Sequence, residues 1–143
     1  ATSTVTSVSL PTGTNGVALA PTQLKSVLYA AGFREPSIRT AYGIAMRESR
    51  AYPRVVSPLN SNGTRDHGLF QINDVHRATT DFSRIYDPVY NAQVAFRLSS
   101  GGSDFSAWGI GDRGWAGTLK RTQPVYWKFL QDEMARFRAQ YPG

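Results

Sequence analysis

The sequence predicts an α+β domain, mainly α-helical, with one small β-hairpin or sheet inserted between helices. Three observations lead to this. Four stretches carry helical start and stop signals or helical apolar spacing, and the stretch between the second and third turns to β-formers and turn residues. The length, 143 residues, suits one domain able to bury a core without staples. Hydrophobic residues make up 41% and charged residues 18%, a globular mixture rather than a disordered one.

Residues 1–20, rich in Ser, Thr, Val, Gly and Ala without helical period, read as a flexible arm or linker, and residues 21–143 as the folded domain. Pro21 suits the first turn of a helix reaching about Ala31, with Gly32 as its stop. The second helix starts at Pro36 and Ser37. Its face is Ile38, Ala41, Tyr42, Ala45 and Met46, and it ends near Ser49 and Arg50, before Pro53. In residues 54–73, Val55 and Val56 favour strand, Asn60-Ser61-Asn62-Gly63 a turn, and Leu69-Phe70-Gln71-Ile72 a short strand. Asp87-Pro88 opens a third helix that runs to about Ser99 and stops at Gly101-Gly102. Thr122 opens the last, with Tyr126, Leu130, Met134, Phe137 and Tyr141 as its apolar stripe.

The formal charge is +6 and the sequence pI about 10.0, which favours an anionic partner: nucleic acid, lipid headgroups or an acidic cell wall. The basic residues are scattered, apart from Arg136 and Arg138, with no zinc-finger or RNA-binding signature, so no nucleic-acid partner is expected. No apolar run approaches the roughly 20 residues needed to span a bilayer, so neither stable membrane insertion nor a signal peptide is expected. Without cysteine there is neither a disulfide framework nor a thiolate metal site. His67 and His76 are too few and too far apart to suggest a metal, and no calcium pattern appears. No cofactor is expected.

Only three residues are glutamates. Glu35 beside Arg34, and Glu133 among charges on the last helix, read as solvated surface. Glu48 differs, because it falls in the last turn of an apolar helix just before a loop. Partial desolvation there would keep its carboxyl protonated near neutrality, as a general acid in glycosidic cleavage must be. On position alone, a helix-end glutamate paired with Arg47 or Arg50 is the commoner arrangement.

The neighbourhood changes that balance. Met46-Arg47-Glu48-Ser49-Arg50, an Asn/Ser/Gly turn, and then Asp66-His67-Gly68-Leu69-Phe70-Gln71-Ile72-Asn73 resemble the catalytic region of lysozyme-like enzymes. Asp87-Pro88-Val89-Tyr90-Asn91-Ala92 through Phe96-Arg97-Leu98, and Phe105-Ser106-Ala107-Trp108, resemble soluble lytic transglycosylase domains. The resemblance covers residues 37–115, and the ordered set carries it rather than any one motif. It implies a lysozyme-like fold with the small hairpin beside the catalytic helix. It also implies cleavage of the β-1,4 bond between N-acetylmuramic acid and N-acetylglucosamine of bacterial cell-wall peptidoglycan.

The link between Ser57 and Gly68 is longer than in transglycosylase domains and resembles animal-type lysozymes, where an aspartate before the corresponding strand is the second carboxylate. Asp66 stands in that place, 18 residues after Glu48, although those enzymes carry disulfides and this chain has no cysteine. Two carboxylates point to hydrolysis, whereas Glu48 alone suits a lytic transglycosylase that forms 1,6-anhydro-muramic ends. Asp66 could instead cap its turn.

Around the pair, Ser49 is expected to orient Glu48 or end its helix. Gln71 and Asn73 are expected to share a strand face, bonding sugar or stabilising the hairpin. Tyr90 and Trp108 stack on sugar rings or join the core. Substrate binding is assigned to these five. A non-catalytic wall-binding module is a further alternative, as is a basic nucleic-acid-binding domain. A monomeric bacteriophage endolysin is expected, with a secreted bacterial enzyme as the other origin.

Overall fold

The structure, a computed structural model, describes residues 17–108 and 124–140. Helix α1 spans Pro21–Ala31, α2 Ser37–Ser49, α3 Pro88–Leu98 and α4 Pro124–Gln140. Between α2 and α3 lie strands β1, Asp66–His67, and β2, Ile72–Asn73, then 3-10 turns at Asp74–Thr79 and Phe82–Arg84; another follows α3 at Ser106–Trp108. The fold of the described residues is therefore mainly helical with a small antiparallel sheet, as the sequence predicts.

The local signals work as read. Pro21 opens α1, and the Gln23 side chain accepts the Ala20 N–H at 2.8 Å, satisfying a free donor at the helix start. Gly32 ends it at φ 121°, which a residue with a Cβ adopts only under strain. Asp87 caps α3 through the N–H groups of Val89 and Tyr90. Arg50 and Ala51, both left-handed, swing the chain off the end of α2.

Helix α2 runs through the core, burying Ile38, Ala41, Tyr42, Ile44 and Ala45. It packs against α1 and, most extensively, against α4, where Tyr42 meets Phe137 edge-on at 5.0 Å. Helix α1 contributes Leu24, Val27 and Leu28 and also rests on α3. A fully buried side chain of this size stabilises by about 1.5–3 kcal/mol.

Three stretches of backbone differ from the sequence reading. Leu69-Phe70-Gln71 is not strand: residues 68–71 form the hairpin's own turn, and only Ile72 and Asn73 of that run pair, with His67 and Asp66. Gly68 at φ 75° and Gln71 at φ 52° wrap the chain so that Leu69 and Phe70 both sink into the core, which an extended strand would have sent to opposite faces. Val56 adds a single bridge to His67 and no third strand. Leu19, inside the stretch read as an arm, is 5% exposed and donates its N–H to Ala51 at 2.9 Å, so the packed body reaches at least that far. Thr122, Tyr141 and residues 109–115 lie outside the described residues, as do the side chains of Tyr126, Leu130 and Arg138.

Glu133 is not a solvated surface residue. It is 4% exposed and paired with Arg136. It lies four residues before buried Phe137, and so shares the inward face of α4. Glu35 is exposed and pairs with Arg39 one turn along α2.

Candidate active site

Glu48 stands in the last turn of α2 with its carboxyl half-buried. Burial pushes its pKa above the ordinary value; Arg47 opposes the shift, and the negative charge of Asp66 adds to it. No hydrogen bond among the described residues holds the Glu48 carboxyl in its charged form. An acid in such surroundings keeps its proton to higher pH and can give it up to a leaving group.

Asp66, on β1, is set in amides. Its Oδ1 accepts from Asn73 Nδ2 at 2.7 Å and its Oδ2 from Asn60 Nδ2 at 3.4 Å. The same two amides also donate to the Thr64 hydroxyl, at 3.0 and 3.3 Å, which in turn donates to Asn62 Oδ1 at 2.6 Å. The backbone of Asp66 is fixed by Ser57, whose Oγ accepts its N–H at 2.8 Å and whose N–H donates to its carbonyl at 2.9 Å. The Asp66 carboxylate caps no backbone N–H among the described residues; both bonds it accepts come from side-chain amides.

The hairpin is locked to the helical side by Asn91 of α3, which is fully buried. Its Oδ1 accepts from Phe70 N–H at 2.8 Å, and its Nδ2 donates to the carbonyls of His67 and Ile85 at 3.0 and 2.9 Å. Gly68 leaves room for this: a Cβ there would overlap Asn91 Nδ2 and come within 2.9 Å of the Ile85 carbonyl oxygen.

A half-buried carboxylic acid at a helix end and a carboxylate on an adjoining hairpin, near enough to act on each other electrostatically, can together protonate and cleave an acetal. Residues 25–110 match the family of lysozyme-like domains. The chain belongs to that family. A 52-residue stretch is 42% identical to a lysozyme of Galleria mellonella, covering 36% of this chain and 43% of that protein. A 43-residue stretch is 44% identical to a lysozyme of Antheraea mylitta, covering 30% and 36%. The chain thus spans less than half the length of the curated relatives it matches.

The five supporting residues of this lysozyme-like domain have work inside the fold. Ser49 is buried, and its hydroxyl donates to the Ala45 carbonyl at 3.0 Å, ending α2 rather than reaching Glu48. Gln71 lies in the hairpin turn and not on a strand face with Asn73; its Nε2 donates to the carbonyls of Val55 and Gly68 at 3.2 and 3.0 Å. Asn73 is the main donor to Asp66 and accepts from Val75 N–H at 2.9 Å. The Tyr90 hydroxyl accepts from Asp81 N–H at 2.8 Å, and its ring lies 4.3 Å beneath the Arg84 guanidinium. Trp108 donates its indole N–H to the Phe70 carbonyl at 2.9 Å and packs on Phe70 and Phe105, with part of its ring exposed.

The sequence reading gave Thr64, Ser57 and Asn91 no role at the site and gave Asn60 only a place in the turn and link. Their residue types alone do not set them apart. The available signal was the density of Asn and Thr within a few residues of an aspartate on a hairpin. Among the described residues no group of three or more His, Cys, Asp or Glu side chains is placed to hold a metal, and no helix is long and apolar enough to cross a membrane.

Proposed function

We propose that this protein is a muramidase: it hydrolyses the β-1,4 bond between N-acetylmuramic acid and N-acetylglucosamine of peptidoglycan. The packed body that includes Leu19 and helices α1 to α4 forms its catalytic domain. Glu48 donates the proton to the glycosidic oxygen. Asp66 stabilises the oxocarbenium-like charge or attacks the anomeric carbon, after which Glu48, now a base, activates the water that completes the reaction.

One observation carries this reading: the two carboxyl groups sit in opposite surroundings yet act on each other. Burial and Asp66 favour the protonated form of Glu48, while Asn73 and Asn60 offer Asp66 only hydrogen-bond donors. A carboxyl that burial inclines to keep its proton, beside a second carboxyl held only by hydrogen-bond donors, suits a proton donor and a partner with a different role. Lysozyme as the name of both insect relatives supports the same substrate class. We read the source as a bacteriophage endolysin or a secreted bacterial enzyme, acting on the wall as a monomer.

Mass spectrometry of digested glycan tests the proposal. Hydrolysis leaves reducing ends that contain the added water. Products with 1,6-anhydro-muramic ends would assign the chain to the lytic transglycosylases, with Glu48 acting alone, and absence of any cleavage would leave a wall-binding module.

A further inference from the structure

The hairpin that presents Asp66 is tied on both faces. Asp66 meets Asn73 across the strands; on the opposite face, because strand side chains alternate, His67, whose cross-strand partner is Ile72, reaches diagonally to Asp74 just past β2. His67 Nε2 lies 2.8 Å from Asp74 Oδ1, and Nδ1 lies 2.8 Å from the Tyr86 hydroxyl. The ring is further held edge-on to Phe82 and Tyr86, at 5.3 and 5.9 Å. Asp74 is itself anchored: Oδ2 accepts from Arg65 N–H at 2.9 Å and Oδ1 from Arg77 at 3.0 Å. An ionised Asp74 can only accept, so His67 donates to it from Nε2, while Nδ1 and the Tyr86 hydroxyl hold the other end of the ring.

Two-residue strands cannot fix their own register, since an isolated hairpin is marginal even when longer. A one-residue slip of β1 would turn Asp66 to the back and His67 to the front. The His67 ties, with its ring in a slot matched at both nitrogens, oppose that slip.

We propose that His67 is a positioning residue for Asp66, bracing the back of the hairpin through Asp74 and Tyr86 so that the second carboxylate stays in register opposite Glu48. This rests on the reading of Asp66 given above.

His67→Phe keeps a ring against Phe82 and Tyr86 and removes both polar ties. On soluble peptidoglycan strands, kcat should fall about tenfold while KM stays within about twofold. Amide exchange at Ser57 and Asp74, whose N–H groups bond the carbonyls of Asp66 and Arg65, should quicken about tenfold. In an Asp66→Asn background the added loss of kcat should be less than about twofold, because His67 acts through that carboxylate. Parental kcat and exchange in His67→Phe would overturn the proposal, as would the same tenfold loss in both backgrounds. Should His67→Phe fail to fold, Tyr86→Phe removes one tie and should show the same pattern with a loss of about threefold; parental kcat in it then overturns the proposal. If Asp66→Asn alone keeps parental turnover, the reading of Asp66 fails instead. Exchange at Ser57 and Asp74 then decides the brace by itself, faster exchange supporting it and unchanged exchange overturning it.

Discussion

The two sides of the site hold their carboxyl groups by opposite means. Glu48 ends a helix whose neighbours are Ile44, Ala45 and buried Ser49, and it is shaped by what surrounds it least, namely water. Asp66 stands on a hairpin wired by Asn60, Thr64 and Asn73, and it is shaped by what it touches. The helical side raises the pKa of its carboxyl by withholding solvation, which needs only packing. The hairpin side holds its carboxyl by hydrogen bonds, which need several side chains at the right angles. The first should therefore tolerate polar changes poorly and the second should tolerate changes of geometry poorly.

The largest effect is expected from Glu48→Gln. The amide is close in shape but cannot protonate a leaving oxygen, so turnover on cell walls should fall by roughly 10²–10⁴ while the thermal transition stays near the parent's. Near-parental activity in folded protein would remove Glu48 from the acid role and end the contrast.

Next is the hinge of the hairpin side. Gly68→Ala sets a Cβ against Asn91 and the Ile85 carbonyl at a positive φ, and should cost about 3 kcal/mol, read as a lower denaturant midpoint. A midpoint equal to the parent's would show that Asn91 can yield, and that the hairpin is not locked to α3 there.

A subtler test returns to Glu48. Its folded pKa lies above its ordinary 4.5, so its contribution to stability is full below that value and is lost as pH rises through the folded value. Glu48→Gln, which cannot ionise, should gain stability relative to the parent as pH rises from below 4.5 to above the raised folded value. Parallel stability curves for the two proteins would contradict the buried-acid environment. Smallest of these is the salt response. Lysis of walls should weaken as salt rises above about 0.15 M, where charges beyond about 8 Å are screened, while cleavage of a neutral chitin oligomer changes much less. Equal responses would mean that the net charge of +6 does not steer the protein to its substrate.

The contrast also explains what was legible in the sequence. The helical side could be read because period and caps are local: Ile38 to Met46 draw α2, and Glu48 falls at its end. The hairpin side was placed correctly and drawn wrongly. Leu69-Phe70-Gln71-Ile72 looks like a strand because its apolar residues suit one, but buried Asn91, distant in sequence, takes the Phe70 N–H that a strand partner would have used. Of the amide setting of Asp66 only the density of Asn and Thr was legible, since the setting joins residues from 57 to 73 by side-chain angles that no spacing encodes. Glu133 was misread by residue type, although its place on the face of Phe137 was available from spacing alone.

The pairing of the two sides is tested most directly by steady-state turnover of Asp66→Asn. Asparagine keeps the shape and can still accept from Asn73, but it carries no charge. Because that charge counts when the sugar ring becomes positive, kcat should fall at least about tenfold, or about 1.4 kcal/mol of transition-state stabilisation, with KM little changed. Parental kcat in correctly folded Asp66→Asn protein would contradict the account and leave Glu48 to work alone.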